Sequence, residues 1–205
     1  MVSRLGVIQG WLAIANTAFG ANAGYLDRLD RAIGDGDHGT NMARGFSGAA
    51  ELDPGSYDSP QQLLRQVGMH LLGSIGGASG ALYGTFFLTL ASRWSSEMNT
   101  PRLAAAMRAA RDAVQARGRA EVGDKTLVDA LHAAVCSLEA EDSETPIREA
   151  ISRAAEAAQA ASQGVRDAVA KRGRAALLGE ATVGHLDPGA ESMTILFQAA
   201  ARHLG

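Results

Sequence analysis

Apolar residues recur at helical spacing through most of this chain, and nowhere do they alternate convincingly over the length of a strand. Val7, Ile8, Trp11, Leu12 and Ala15 share one helical face, as do Leu63, Leu64, Val67, Leu71 and Leu72. Ala-rich tracts over 103–116 and 147–170 predict long helices, with Glu and Arg mostly on the exposed sides. Pro101 and Pro146 fit the first turns of these helices, with Thr100 and Thr145, or Ser143, as candidate N-caps. No Asn-Gly hairpin signal occurs. The chain therefore reads as all-α.

What divides the helices is glycine. Four irregular Gly-rich segments, at 34–39, 73–80, 118–123 and 184–189, carry nearly all the Gly, Asp and His chemistry, whereas Asp53-Pro54-Gly55-Ser56 looks like a simple turn. Successive connections in an up-and-down bundle alternate between its ends, so loops of this kind can meet at one end and build a site. No linker or repeat interrupts the 205 residues, which read as one domain over 1–205.

The densest chemistry lies in 29–41, where Asp30, Asp35 and Asp37 fall within one turn-rich stretch. Carboxylates gathered this closely repel unless a cation sits among them, and all-oxygen donors favour a hard one. A solvated turn is the plain alternative, weakened by Gly34, Gly36 and Gly39 and by Thr40 and Asn41, which offer helix-capping chemistry. The N–H groups of a helix beginning there suit phosphate. A calcium loop counted from Asp35 fails, because Phe46 stands where its bidentate Glu belongs.

The other segments divide less sharply. Gly73–Gly80 precedes a helical run over 82–92; it suits either an anion cradle, with Ser79 the residue to test, or close packing through glycine. The stretch from Gly118 to Thr126 imitates a P-loop but misses its spacing by one residue and follows a helix instead of a strand; Gly123–Thr126 fits a turn capping the helix that holds Asp129. Arg174 suits either a phosphate or a helix terminus. His185 and Asp187 could act in catalysis, although Asp187-Pro188-Gly189 is also an ordinary turn.

Composition narrows the function classes. The formal charge of −3 gives no global basic field for nucleic acid. No signal peptide and no apolar stretch of spanning length is evident, so a cytoplasmic protein without membrane association is expected. The single cysteine, Cys136, lies in an apolar run and is expected to be buried and inert; it permits no disulfide within the chain.

Taken together, the segments Leu-Asp-Arg-Ala-Ile-Gly-Asp-Gly-Asp-His-Gly-Thr-Asn (29–41), Gly-Gly-Ala-Ser-Gly-Ala-Leu-Tyr-Gly-Thr (76–85), Gly-Asp-Lys-Thr-Leu-Val-Asp-Ala-Leu (123–131), Gly-Arg-Ala (173–175) and Gly-His-Leu-Asp-Pro-Gly-Ala (184–190) strongly resemble the DhaL family. These are nucleotide-binding subunits of bacterial dihydroxyacetone kinase, homologous to the C-terminal domain of single-chain dihydroxyacetone kinases. The resemblance implies an eight-helix, up-and-down antiparallel barrel with ADP or ATP bound at one end. It assigns Mg2+, as two ions, to Asp30, Asp35 and Asp37. His38, Gly39, Thr40, Asn41, Ser79, Gly80 and Gly118 would line the nucleotide, Leu127 would pack by the base, and Arg174 with Asp187, Pro188 and Gly189 would close over it. Ala81 and Leu127 depart from a proline and a methionine common in the family.

The resemblance further implies transfer of the γ-phosphoryl group to dihydroxyacetone held on a separate DhaK subunit. ADP would stay bound and be rephosphorylated by a phosphohistidine carrier, DhaM. It also admits a transcriptional regulator as partner, and a homodimer. Two other readings stand beside it: a subunit that exchanges ATP freely and serves another ketose or polyol, and a regulatory module that binds nucleotide without turnover.

Overall fold

A computed structural model describes residues 4–95 and 97–204. Eight helices follow in order: α1 (Arg4–Ile33), α2 (His38–Ala50), α3 (Pro60–Ser74), α4 (Gly77–Arg93), α5 (Thr100–Gly118), α6 (Leu127–Glu139), α7 (Ile147–Gly164) and α8 (Pro188–Leu204). No strand occurs among the described residues. Each helix packs on its successor and α8 returns to α1, closing a ring. Short connections set α1 to α7 antiparallel in turn and the longer 165–187 segment leads into α8, so α2, α4, α6 and α8 all begin at the same end.

Amphipathic faces line the ring's interior. Phe19, Phe46, Tyr83, Phe86 and Phe87 are fully buried. Phe46 sits 4.5 Å from Phe19 and meets Tyr83 and Phe87 edge-on. Trp11 is a packing residue; its indole N–H donates to the Leu196 carbonyl at 3.0 Å. None of the described helices is long and apolar enough to cross a membrane.

Local capping departs from expectation at several places. Asn99, not Thr100, caps α5 by accepting from the Arg102 N–H, while the Thr100 hydroxyl donates across to the Thr145 carbonyl. Neither Ser143 nor Thr145 caps α7, which opens at Pro146 without a side-chain cap. The helix expected over 147–170 ends at Gly164, because the carbonyls of Arg166 and Ala168 turn aside to accept from Lys125. Residues 165–187 then form an irregular strap, with a kinked 3-10 segment at Ala175–Thr182, that crosses the end where the even helices begin. Cys136 is exposed: its phase on α6 points outward, while Leu131, Val135 and Leu138 are buried.

Candidate functional site

All four Gly-rich loops lie at the end of the ring where the even helices start. Asp30 closes α1, and Asp35 and Asp37 belong to the turn into α2. One oxygen from each of the three lies within 4.8 Å of the others. Asp30 is 9% exposed, and its Oδ2 accepts from the N–H groups of Gly36, Asp37 and His38 at 2.8, 3.0 and 3.2 Å. That oxygen is fixed by the turn it folds. Its Oδ1 sits where a Cβ at Gly34 would collide with it. Gly36 has φ of 81°, which glycine adopts without strain. Asp35 is exposed and pairs with Arg174 on the strap. The donors are all carboxylate oxygens, close enough to share an ion and offering no soft ligand; this set fits Mg2+.

Thr40 and Asn41 do not cap α2. Asp37 occupies the N-cap position without a side-chain cap bond. Thr40 lies one turn inside, donating its N–H and its hydroxyl to Asp27 at 2.9 and 2.7 Å. Burial pushes the Asp27 carboxyl up, but the bonds from Thr40 and Gly39 outweigh it and hold the pKa below the usual value. Asn41 accepts from Arg44 at 2.6 Å, and Arg44 also holds the Ser74 carbonyl. Thus the first N–H groups of α2 are engaged by Asp30 and Asp27. The free anion-binding donors belong instead to α4, which opens after Gly76 with no side-chain cap.

Behind Ser79 runs a buried polar chain. Ser79 Oγ lies 3.3 Å from His38 Nδ1, His38 Nε2 lies 2.9 Å from Ser192 Oγ, and Ser192 Oγ lies 2.8 Å from the Tyr83 hydroxyl. Ser192 donates its only proton to the Gly189 carbonyl at 3.0 Å, so it accepts from both Tyr83 and His38. His38 therefore carries its proton on Nε2, and Nδ1 accepts from Ser79. Burial lowers the His38 pKa against the opposing pull of Asp30, Asp37 and Asp27, consistent with a neutral ring.

The remaining predicted residues fall around the same end. Asp187 caps α8, accepting from the Ala190 N–H at 2.7 Å; burial pushes its pKa up to about 7. Gly189 approaches Leu127 at the start of α6 so closely that a Cβ would meet the Leu127 N at 3.3 Å. Gly39 and Gly80 are packing glycines: a Cβ on the first would strike the Ala23 carbonyl, and on the second the Ile75 carbonyl. Gly118 ends α5 beside Leu82. The Gly123–Thr126 turn is a cap as expected, with Thr126 and Asp129 forming a reciprocal capping box.

Sequence reasoning missed Asp27, Tyr83 and Ser192. Their partners lie on other parts of the chain, and no local pattern marks them. Arg44 was equally invisible, an ordinary helix-surface cation until α3 ends beside it.

Several known proteins are similar to this chain. The DAK2 domain model matches residues 32–202. The ADP-binding subunit DhaL of the PEP-dependent dihydroxyacetone kinase of Escherichia coli is 39% identical over 198 residues, 95% of this chain and 94% of that one. The DhaL subunit of the PTS-dependent kinase of Lactococcus lactis is 37% identical, covering 92% of each chain. The dihydroxyacetone kinase of C. freundii superposes with a TM-score of 0.76 at 26% identity over 98% of this chain. A second structure of that kinase, in complex with AMP-PNP and Mg2+, gives 0.72 at 25%. This chain spans about a third of that larger protein, 35% and 34% in the two structures. On matches of this breadth, the chain belongs to the DAK2 domain family, among the DhaL-type subunits.

Proposed function

We propose that this chain is the nucleotide-binding subunit of a dihydroxyacetone kinase, a single DhaL-type domain over 1–205 that holds Mg-ATP or Mg-ADP at the loop end of its barrel. The observation that carries the reading is the meeting of three carboxylates, the uncapped start of α4 and the Arg174 guanidinium at that one end. The relatives' names, and the nucleotide analogue and Mg2+ bound by the C. freundii kinase, point the same way.

Phosphoryl transfer asks little covalent chemistry of a protein; alignment and charge neutralisation supply most of the rate. Bound magnesium would neutralise the phosphate oxygens and orient the γ-phosphoryl group. Asp30, Asp35 and Asp37 would hold it, with Asp30 already oriented by three backbone donors. The N–H groups at the start of α4 would receive phosphate oxygens. Ser79 gives its proton to His38, so its oxygen and backbone are fixed in place before any ligand arrives. Arg174 would exchange its pairing with Asp35 for the charge developing on the transferred group.

The acceptor sugar would come on a separate subunit of DhaK type. Val122, Leu177, Leu178 and Val183, all exposed large apolar residues, lie on the loop and strap that rim the site and suit a protein partner. A phosphohistidine carrier of DhaM type would reload the bound ADP, in keeping with the PEP- and PTS-dependent names of the relatives. Native mass spectrometry of the purified chain tests the nucleotide claim: ADP and magnesium should travel with it, and excess labelled ATP should exchange negligibly. A ligand-free protein that cannot be loaded with Mg-ADP contradicts the reading, and rapid exchange replaces carrier-dependent reloading with free ATP turnover.

A further inference from the structure

The Gly123–Thr126 turn reaches well beyond the helix it caps. Lys125 is 1% exposed and takes a left-handed backbone conformation, φ 60°. Its Nζ donates to the carbonyls of Arg166, Ala168 and Thr182 at 2.7, 3.0 and 2.6 Å. All three protons of the ammonium are thereby engaged by main-chain oxygens from the two ends of the strap. Next to it, the buried Asp124 accepts the Lys171 N–H on its carbonyl and the Arg172 Nε–H on its carboxylate, at 3.0 and 2.8 Å. Lys171 Nζ approaches the same carboxylate at 3.6 Å.

A buried ammonium is costly to desolvate; Asp187 and Asp167 favour its charge from a distance, and the three carbonyls make its direct contacts. Apolar packing could hold a surface loop without it. The strap contributes little to the core: in its 3-10 segment only Thr182 is buried, and Leu177 is 87% exposed. What lies between the tied points is Arg174, reaching Asp35. Thr182 completes the tie, since its hydroxyl accepts from the Ala170 N–H at 3.0 Å and so joins the two limbs of the strap.

We propose that Asp124 and Lys125 are positioning residues for phosphoryl transfer: they tie the strap to the α5–α6 turn so that Arg174 is held over Asp35. This rests on reading the loop end as the nucleotide site. The alternative is a structural role alone, in which the same bonds raise stability without governing where Arg174 stands.

Hydrogen exchange and a double-mutant cycle separate the two. In the full-length Lys125→Met protein without nucleotide, amides over 166–184 should exchange at least about tenfold faster while α1 to α4 keep their protection. Transfer from ATP to dihydroxyacetone, assayed with a DhaK partner, should fall about a hundredfold, the scale of a misplaced transition-state group. Adding Lys125→Met to Arg174→Ala should then cost no more than about twofold, because the two act through one guanidinium. Wild-type protection of the strap, or rate losses that multiply, would overturn the proposal.

If Lys125→Met does not fold, Arg172→Ala removes a partly exposed part of the same tie. It should give the same signature more weakly, and wild-type exchange and rates in that variant would also overturn the proposal. A wild-type chain that transfers no phosphate defeats the functional reading alone; exchange over 166–184 still decides whether the tie exists.

Discussion

At the end of the barrel where the even helices begin, Asp30, Asp35, Asp37, His38 and Arg174 crowd around glycine-rich turns. At the opposite end, a cavity of about 580 Å3 opens between the starts of α1, α5 and α7 and the close of α8, lined chiefly by residues such as Trp11, Trp94, Met98, Leu103, Leu196 and Phe197. The cavity is roomy, yet its walls are mostly apolar and offer few groups that could hold phosphate or a hard cation. Apolar volume alone points to that end. Donor chemistry chooses the loops: carboxylate oxygens, uncapped helix N–H groups and a guanidinium are what Mg-nucleotide requires.

The contrast is broken most severely by Asp35→Ala. This residue is exposed and, among the described residues, its ion pair is with Arg174, so helix content and melting temperature should stay near wild type. Phosphoryl transfer should fall by about a thousandfold or more, since charge neutralisation carries the reaction. Circular dichroism with a transfer assay checks both halves, and a wild-type rate contradicts the metal assignment. Arg174→Ala should follow, with about a hundredfold loss in kcat and little change in melting, as expected for one guanidinium acting on developing charge. Equal activity in the two proteins would leave the strap without a catalytic role.

The opposite end should show the reverse pattern. Leu196 is 1% exposed beside the cavity, and Leu196→Ala should cost about 2 kcal/mol of stability, the low side of core truncations. Its Mg-ADP affinity should be unchanged well below the melting transition. Denaturant unfolding and calorimetry check the pair, and a parallel loss of affinity would show that the two ends are coupled.

A subtler difference is titratable. Asp187 has a folded pKa of about 7, above its unfolded value, because burial disfavours its charge. The folded state therefore binds the extra proton between about pH 4 and 7, and this group's contribution to stability declines as pH rises through that window. His38 acts in the opposite sense: its lowered pKa favours folding as pH rises. Comparing Asp187→Asn, which keeps the α8 cap, with wild type isolates the first effect. The variant should gain at least about 2 °C on wild type from pH 5 to pH 8 in metal-free buffer. Parallel melting curves across that range would contradict the raised pKa.

What the sequence disclosed follows from the range of each interaction. Asp30, Asp35 and Asp37 lie within eight positions of one another, so their meeting was readable before any fold was known. Helical periodicity and the four glycine-rich breaks likewise expressed local rules, and the all-α ring obeys them. Tyr83, Ser192 and Asp27 could not be found this way, because their roles arise from contacts between helices. The helix expected over 165–170 failed for a related reason: a buried Lys125, 41 residues away from Arg166, competes for its carbonyl and wins. Thr40 shows the limit of capping chemistry, since a carboxylate from α1 took its donors. Cys136 shows that an apolar run says little without its phase.

Manganese in place of magnesium tests the central assignment most directly. With Mn2+ and ADP bound to the isotopically labelled chain, paramagnetic broadening should erase amide signals over 34–41 and 76–80, and spare those of 7–12 and 99–107 at the cavity end. Broadening centred on the cavity, or ADP binding with no broadening near Asp30, Asp35 and Asp37, would contradict the account.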